Sequence, residues 1–394
     1  MRIAIDATFR MHGGGMIHLR QLLKAWHSLR LEREHTLVLF TRADSADQLG
    51  PLNDGIELVT LPGSEINAGV RLLWQQFRLP GLLRQAGSDV LFCPGNVSPF
   101  RSSIPVVVAL QNAAPFCASV TLRSTGLSKW LWFKALGWMM RWSARRADRV
   151  VFISQYFRDF FVRCYGFPSD HADVIPHGYD SFAGTTVDPL LLERMGIRRP
   201  FILSVSHLYR YKNLPALIEG YALARQALQA RDLRLVIVGK AVDPGFYKEM
   251  RRQVDALGLQ DWIVFPGPVP HPVVATLIRE CEFFVFQSTC ENFSIALLEA
   301  LAAGVPVASS NAGVMPEIGG DAPLYFDPFH PQGIAEVLAR VAGDPELRRE
   351  MGRKALQQAT RFPTWEQVAT MTLQSLQRAA GGSAVSSAHA ASAR

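Results

Sequence analysis

Two acidic residues that stand eight positions apart, Glu291 and Glu299, lie in a segment with the residue types of a ligand site. Ser294 is a favourable N-cap, so the pattern predicts a helix from Ile295, and Gly304 suits the left-handed position that ends a helix. The free backbone N–H groups at such a helix start favour a phosphate, and a carboxylate can accept two sugar hydroxyls. The segment therefore predicts a phosphate and sugar site, although an ordinary helix with incidental acids explains the spacing equally well.

The elements that must position these residues predict an α/β fold. Short apolar runs alternate with helical stretches, as expected of parallel strands that are covered on both faces. Two successive sets of such runs imply two doubly wound Rossmann-like domains that face a central cleft, where ligands meet the carboxyl ends of the strands. The predicted strands are Arg2–Asp6, Thr36–Thr41, Glu57–Leu61, Val90–Cys93, Val106–Leu110, Val150–Ser154, Phe201–Val205, Leu233–Val238, Ile263–Phe265, Phe283–Gln287, Val305–Ala308 and Leu324–Phe326.

The domain boundaries follow from breaks in this alternation. We expect an N-terminal domain over residues 1–178 and a C-terminal domain over residues 179–362, with the break near His177. Residues 363–380 form an amphipathic stretch that predicts a helix returning to the N-terminal domain. The last residues, 381–394, are rich in Gly, Ser and Ala and predict a disordered tail, because they cannot bury enough apolar surface to fold.

Charge and cysteine usage narrow the function classes. The formal net charge of +7 favours anionic partners, yet no zinc-finger, ribonucleoprotein or Lys/Arg-run motif indicates nucleic acid. The five scattered cysteines include no Cys-x-x-Cys pair, so we predict neither a disulfide framework nor a zinc site, and a reducing cytoplasm. No run of 18 apolar residues predicts a membrane span, and the N-terminus lacks the apolar region of a signal peptide.

The segment from Glu291 to Val307 closely resembles the signature of glycosyltransferase family 4, the group 1 and mannosyltransferase-like enzymes. The usual pattern is E-G-F-G-x-x-x-x-E-A-(M/L)-A-x-G-x-P-V, from which this chain departs with Asn292 and Ser294 in place of glycines. The resemblance implies a GT-B fold and a retaining, metal-independent transferase without a cofactor. Further matching stretches are Gly13–Gly15, Val151–Ser154, Val174–Gly178, Ser204–Asn213, Ile237–Gly239, Phe265–Gly267, Pro316–Ile318 and Phe326–Pro328.

The resemblance also implies roles for individual residues. The N-terminal domain would bind the acceptor and the C-terminal domain the nucleotide sugar. Glu291 would contact the donor sugar and align the reacting centre, Glu299 would hold the ribose, and Lys212 would neutralise the diphosphate. Arg210 is the second catalytic candidate, although the family places its arginine directly before the lysine. The remaining nucleotide-sugar contacts would be Gly13, Gly14, Gly15, Ser206, Gly239, Asn292, Phe293, Ser294, Ile295 and Ala296.

One family feature is replaced in this chain. Gln111 and Asn112 follow the fifth strand, where many members have His-Asp. Neither side chain titrates, so no general base is placed there, and the leaving phosphate itself would take the acceptor proton on the same face. We predict Gln111, Asn112 and His177 as contacts to the sugar or the acceptor.

The expected function is retaining transfer of a hexose, mannose or similar, from a nucleotide diphosphate sugar to a glycan or lipid-linked glycan of bacterial surface polysaccharide. Two alternatives stay open: another GT-B enzyme, such as a nucleotide-sugar epimerase, and a non-catalytic nucleotide-sugar binder. The Trp- and Arg-rich stretch 129–146 and the similar stretch 71–78 are either partly buried helices or surfaces for an anionic membrane. The second interpretation places the protein in the cytoplasm, at the inner face of the membrane.

Overall fold

The chain separates into two compact units. The computed structural model describes residues 1–8, 14–42, 46, 49, 55–61, 68–117, 126–179 and 189–392. The first unit comprises Met1–Pro115, Ser128–Gly178 and Pro363–Arg394, and the second comprises Phe116–Leu127 and Tyr179–Phe362. The assignment of Phe116–Leu127 to the second unit differs from the prediction, which placed this segment in the N-terminal domain.

Each unit contains one sheet, and the strands pair in parallel throughout the described residues. The first sheet has the order β3-β2-β1-β4-β5-β6-β7, and the second has the order β10-β9-β8-β11-β12-β13. The strands are β1 (Arg2–Ala7), β2 (Thr36–Arg42), β3 (Ile56–Leu61), β4 (Val90–Cys93), β5 (Val106–Leu110), β6 (Arg149–Phe152), β7 (Ala172–Val174), β8 (Phe201–Val205), β9 (Arg234–Val238), β10 (Ile263–Gly267), β11 (Phe283–Phe286), β12 (Val307–Ser310) and β13 (Leu324–Phe326).

Helices connect most of these strands, as is usual for parallel neighbours. Residues 94–105, between β4 and β5, contain no helix. A short 3-10 turn that carries site residues described below lies at Arg210–Lys212. The α-helices are α1 (Gly14–Ser28), α2 (Ala68–Phe77), α3 (Leu79–Gln85), α4 (Leu127–Arg146), α5 (Gln155–Tyr165), α6 (Pro189–Arg194), α7 (Leu214–Leu223), α8 (Arg225–Gln229), α9 (Pro244–Ala256), α10 (His271–Glu280), α11 (Ile295–Ala302), α12 (Met315–Gly319), α13 (Pro331–Gly343), α14 (Pro345–Ala359) and α15 (Trp365–Ser392).

The predicted α/β class is confirmed, and every predicted strand is present with ends shifted by at most two residues. Continuous apolar strands such as β4, β5 and β11 are buried along their whole length, which is why their sequences show no alternation. The shifts have local causes. Strand β6 ends at Phe152 rather than Ser154, because the Ser154 hydroxyl accepts the Phe157 N–H at 3.2 Å and caps α5.

Helix α15 packs against the first unit. Its buried residues Trp365, Val368, Ala369 and Leu376 share a core with α1, and the Trp26 indole donates to the Ala369 carbonyl at 3.1 Å. The helix is also held by polar contacts, since the Asp173 carboxylate accepts from the Ser375 hydroxyl at 2.6 Å and pairs with Arg378 at 2.9 Å.

The same helix differs from the prediction at its far end. It continues through Gly381 and Gly382 to Ser392, where the composition predicts a disordered tail. The alanines of this stretch have the highest helix propensity of any residue, so an existing helix can extend through them.

The structure also corrects the prediction about cysteines. Cys117 and Cys290, both in the second unit, form a disulfide across 173 positions of sequence, with their Cα atoms 6.2 Å apart. The prediction rested on local spacing, which carries no information about a pair so distant along the chain. Among the described residues, Cys93, Cys164 and Cys281 are free thiols.

None of the described helices is long and apolar enough to cross a bilayer.

Candidate active site

The junction between β11 and α11 forms the centre of the candidate site. Strand β11 is fully buried, and the chain leaves it at the carboxyl edge of the second sheet. Ser294 has extended backbone angles, and its hydroxyl accepts the Leu297 N–H at 3.2 Å, so it caps α11 as predicted. The amides of Ile295 and Ala296 belong to the first turn, where a helix offers no internal acceptor. This geometry provides backbone donors and the positive end of a helix dipole to an anion.

Glu291 and Lys212 meet directly at this junction. The Lys212 ammonium donates to Oε1 of Glu291, and both side chains are mostly buried, with 13% and 10% of their surface exposed. The ammonium also lies 5.3 Å from the centre of the Phe286 ring and 5.5 Å from that of Tyr211. A buried charge needs a partner, and in this structure each of the two charges neutralises the other.

The turn that carries Lys212 is hydrogen-bonded to the residues that follow β11. The Thr289 amide donates to the Tyr211 carbonyl at 2.9 Å, and the Gln287 side chain donates to the Lys212 carbonyl at 2.8 Å. Tyr211 stacks on Tyr209 with ring centres 5.3 Å apart, and burial raises the pKa of its phenol well above the usual range. These contacts fix the lysine relative to α11, so the cation and the helix start form one rigid arrangement.

Arg210 lies only two residues before Lys212 but has a different environment. Its guanidinium makes a bidentate pair with Glu249 of α9, at 2.7 and 2.9 Å, and lies 4.7 Å from the centre of the Phe246 ring. The hydrogen bond to Glu249 raises the pKa of Arg210 and lowers that of Glu249. The structure therefore brings Lys212 to Glu291 but directs Arg210 to α9, and a catalytic part for Arg210 stays a prediction that requires this exposed pair to open.

Glu299 lies one turn into α11 and is almost fully buried, with 7% of its side chain exposed. Its Oε1 is 2.7 Å from Nε2 of His271, the first residue of α10. Sequence reasoning missed His271, because it stands alone between two prolines and matches no motif. The signal that could have found it is its position just after β10, at the edge of the sheet where parallel strands end.

Ser206 and Gly239 follow β8 and β9, which are neighbours in the second sheet. The two backbones press together: a Cβ added at Gly239, whose φ is 151°, would lie 1.9 Å from the Ser206 carbonyl oxygen. Only glycine fits there. The Ser206 hydroxyl is buried, and among the described residues it has no hydrogen-bond partner, so it is a donor available to a ligand.

The remaining predicted residues of the second unit surround the start of α11. Asn292, Phe293 and Ser294 are buried, and the Phe293 ring meets the Phe362 ring edge-on at 5.9 Å. Ile295 and Ala296 are partly exposed. Side chains at 292 and 294 thus contribute to packing as well as to the loop, which is one reason why residues other than glycine are accommodated.

Gln111 and Asn112 follow β5 at the carboxyl edge of the first sheet. The backbone N–H groups of both residues donate to the Asn96 side-chain oxygen, at 2.6 and 2.8 Å, and Asn96 itself has a positive φ of 71°. The Gln111 side-chain nitrogen is buried, and within the described part of the chain it has no hydrogen-bond partner. An unsatisfied amide at this edge is suited to a hydroxyl-rich ligand.

The glycine run at the start of α1 is described only in part, because Gly13 lies outside the described residues. Gly14 and Gly15 form the first turn of α1, and an added Cβ at Gly14 would meet no described residue within 4 Å. Packing against the described part of the first unit therefore does not require glycine at position 14.

His177 is buried within the first unit. It is only 3% exposed, its Nδ1 lies 3.0 Å from Nδ1 of His18, and the Trp365 ring is 6.0 Å from its own. Burial lowers the pKa of His18 to about 4, and it lowers the pKa of His177 well below the usual value. This burial favours a packing role, and a sugar or acceptor contact for His177 stays a prediction.

A buried polar cluster at the end of β1 was also missed. The Asp6 carboxylate accepts from the Thr8 amide and hydroxyl, at 3.1 and 2.6 Å, and from the Gln75 side chain at 2.5 Å. Burial lowers the pKa of the nearby Arg71, although Asp6 opposes this shift. The available signal was an acid near the end of an otherwise largely apolar strand. Among the described residues, no cluster of three His, Cys, Asp or Glu side chains could hold a metal ion.

Two family models match the chain. The model described as Glycosyltransferase Family 4 matches residues 12–181, and the model described as Glycosyl transferases group 1 matches residues 195–358. Mannosylfructose-phosphate synthase from Agrobacterium fabrum is 26% identical over 239 residues, which cover 58% of this chain and 52% of the relative. O-antigen chain mannosyltransferase B from Escherichia coli is 26% identical over 237 residues, which cover 58% of this chain and 60% of the relative.

The matched part of the chain thus spans between half and three fifths of the length of these relatives. Among solved structures, HepE from Anabaena in complex with UDP and glucose superposes with a TM-score of 0.71. The superposition covers 96% of this chain and 99% of the other at 20% identity, and at that identity the likeness is one of fold.

Proposed function

Because the chain belongs to glycosyltransferase family 4, the group 1 glycosyl transferases, and has the GT-B fold, we propose that it is a retaining hexosyltransferase. Its donor would be a nucleotide diphosphate sugar, and the transferred hexose would be mannose or a similar sugar. The observation that carries the proposal is the buried pair of Lys212 and Glu291 beside the free amides of α11. That arrangement supplies a cation, oriented N–H groups and a carboxylate within a single loop and helix start.

Donor binding would redistribute the partners of this pair. A diphosphate that meets the start of α11 brings more negative charge to Lys212 than the single carboxylate of Glu291 offers. Lys212 would then bind the diphosphate, and Glu291 would be released to accept hydroxyls of the hexose. Glu299 would accept the ribose hydroxyls, and the unpartnered Ser206 hydroxyl would donate to the diphosphate.

The chemical step would depend on charge stabilisation. As the glycosidic bond breaks, negative charge grows on the leaving diphosphate, and Lys212 and the α11 amides are already oriented to stabilise it. The acceptor hydroxyl would approach from the same face and give its proton to that phosphate, so the configuration at the anomeric carbon is retained. Gln111 and Asn112 would orient the sugar or the acceptor by hydrogen bonds.

The choice of donor and acceptor draws on the relatives. The HepE structure holds UDP and glucose, and the relatives include an O-antigen chain mannosyltransferase and a mannosylfructose-phosphate synthase. These names support a hexose donor and a glycan or lipid-linked glycan acceptor in bacterial surface polysaccharide synthesis. We further propose that the first unit binds the acceptor and the second unit the donor.

An exposed face of α4 supports peripheral contact with an anionic membrane. Apolar and cationic side chains are mixed on this helix, as at lipid headgroups. The exposed residues are Leu127, Leu131, Trp132, Lys134, Trp138, Arg145 and Arg146. Sedimentation of the protein with phosphatidylglycerol vesicles, but not with phosphatidylcholine vesicles, would support this membrane contact. Trp138→Glu should reduce sedimentation with the phosphatidylglycerol vesicles. Equal sedimentation of the variant would contradict it.

Transfer of radiolabelled sugar from GDP-mannose, UDP-glucose and ADP-glucose to membrane extract tests the activity. We expect one donor to be used, with retained anomeric configuration in the product by NMR. Lys212→Ala and Glu291→Ala should each lower kcat/KM by about 100-fold or more, the size typical of a lost charge-stabilising group. Arg349→Ala is the matched control, because Arg349 pairs with Glu346 at 2.5 Å on an exposed surface. Nucleotide-sugar binding without transfer or hydrolysis for every donor would favour a non-catalytic binder instead.

A further inference from the structure

The contact between His271 and Glu299 has no assigned role. His271 begins α10, shortly after β10 ends at the carboxyl edge of the second sheet, and 32% of its side chain is exposed. Glu299 sits on the next helix along the chain, α11, and the two side chains meet at 2.7 Å through Nε2 and Oε1. An imidazole N–H is the donor in this hydrogen bond, and the carboxylate oxygen accepts.

The surroundings of Glu299 explain why its carboxylate needs a fixed partner. Its chain neighbours Leu298 and Ala300 are fully buried, and the glutamate side chain is itself 7% exposed. A carboxylate in such surroundings is costly unless a donor satisfies it. A carboxylate has about four acceptor positions, so one bond to His271 at Oε1 orients the group and leaves Oε2 able to accept a further hydroxyl.

From this geometry we infer that His271 is a positioning residue: it holds Glu299 in the orientation that accepts a ribose hydroxyl of the donor nucleotide, and so sets nucleotide affinity. The inference rests on the proposed function, because it assumes that the ligand is a nucleoside diphosphate sugar. His271 acts through Glu299 and does not touch the sugar that is transferred. Loss of His271 therefore weakens donor binding and leaves turnover at saturating donor nearly unchanged.

A purely structural pair would behave differently. If the contact served only to satisfy a buried acid, its loss would destabilise the fold and would affect all ligands alike. A positioning role instead predicts an effect confined to nucleotides that carry the ribose hydroxyls. The two roles are distinguished by comparing ribonucleoside diphosphates with their 2′-deoxy and 3′-deoxy counterparts.

The experiment is calorimetric titration of UDP, GDP and ADP, and of the deoxy forms of whichever binds, into the wild-type chain and its variants. His271→Ala should weaken binding of the ribonucleoside diphosphate about tenfold, as expected for a lost hydrogen bond that orients a charged group. It should weaken binding of the deoxy form that lacks the contacted hydroxyl less than twofold. His271→Gln, whose amide can donate from a similar position, should restore most of the affinity.

Controls separate the possible failures. His330→Ala is matched, because His330 pairs with Asp327 at 2.8 Å on an exposed surface, and its nucleotide affinity should equal wild type. If His271→Ala keeps wild-type affinity, or loses equal affinity for ribo- and deoxynucleotides, the inference is wrong while the proposed function stands. If Glu299→Ala leaves affinity unchanged, the ribose assignment and the inference both fail. If wild type binds no nucleoside diphosphate and no nucleotide sugar, the proposed function fails as well. Should His271→Ala not fold, the comparison is made with His271→Asn, whose shorter amide does not reach Oε1.

Discussion

Replacing Lys212 by Met tests whether the buried ion pair has both a structural and a catalytic part. Methionine keeps the length of the side chain but removes its charge, so Glu291 remains with 10% of its surface exposed and no cation beside it. Breaking a fully buried pair from one side costs about 3–5 kcal/mol, and the residual exposure here reduces the expected loss to about 2–3 kcal/mol. For a unit of this size, that corresponds to a fall of about 4–12 °C in the melting temperature.

The double variant Lys212→Met with Glu291→Gln distinguishes the two parts. It removes both charges, so the cost of an unpaired carboxylate disappears, and we expect the melting temperature to return to within about 2 °C of wild type. Transfer activity should not return. Loss of the cation removes stabilisation of the leaving diphosphate, and kcat/KM should stay at least about 100-fold below wild type in both the single and the double variant.

Differential scanning fluorimetry and the radiolabel transfer assay, run on the same preparations, give the two readouts. Lys354→Met is a suitable control, because Lys354 pairs with Glu350 at 3.5 Å on the surface of α14. Unchanged melting temperatures in all variants would show that the pair contributes nothing to stability. Recovery of activity together with stability in the double variant would refute the charge-stabilising role of Lys212.

Three further predictions concern the disulfide, the histidine pair and a strand-end glycine. Thiol titration of the denatured chain should find three reactive thiols before reduction and five after it, and five thiols without reductant would exclude the bond. In urea unfolding, reduction or Cys290→Ser should lower the free energy of unfolding by about 2–4 kcal/mol. The pKa values of His18 and His177 are lowered in the fold, so the unfolded chain takes up protons at a higher pH than the folded chain does. The urea midpoint should therefore be constant above about pH 6.5 and fall as the pH decreases toward 4. The fall should be smaller in His18→Gln. An equal fall in both would assign the loss to other groups. Gly239→Ala should abolish nucleotide binding in calorimetry and lower the melting temperature, because its Cβ would overlap a backbone carbonyl, whereas Gly333→Ala, which meets nothing within 4 Å, should do neither.

The strands and the helix cap were predictable because their causes are local. A run such as β5, with five consecutive buried apolar residues, has no alternative to a strand covered on both faces. Ser294 and Gly304 act through their own backbone neighbourhoods, so the cap and the left-handed end of α11 could be read from residue types alone.

Contacts between distant residues were not predictable in the same way. The bond between Cys117 and Cys290 and the pair of His271 with Glu299 depend on how separate elements pack, and neither has a characteristic spacing. Arg210 shows, conversely, that closeness in sequence does not determine closeness in space. It stands two residues before Lys212 in sequence, yet Glu249 on α9 and Asp243, which caps that helix, determine where its guanidinium lies. His177 lies in a motif that resembles the family, but packing against His18 and Trp365 decides its environment.

The ion pair of Lys212 and Glu291 can couple binding of the donor diphosphate to recognition of the donor sugar. While Lys212 holds Oε1 of Glu291, that oxygen is not available to hexose hydroxyls, and an uncharged sugar offers too little to displace a buried ammonium. A diphosphate can displace the carboxylate, because it presents a greater negative charge to the same ammonium and is met by the α11 amides as well. Glu291 then becomes available only when the diphosphate is in place. Free hexose should therefore bind far more weakly than the same hexose on a nucleotide diphosphate, and Glu291→Gln should narrow that difference, because the uncharged amide is not held by Lys212 and can meet the hydroxyls of free hexose.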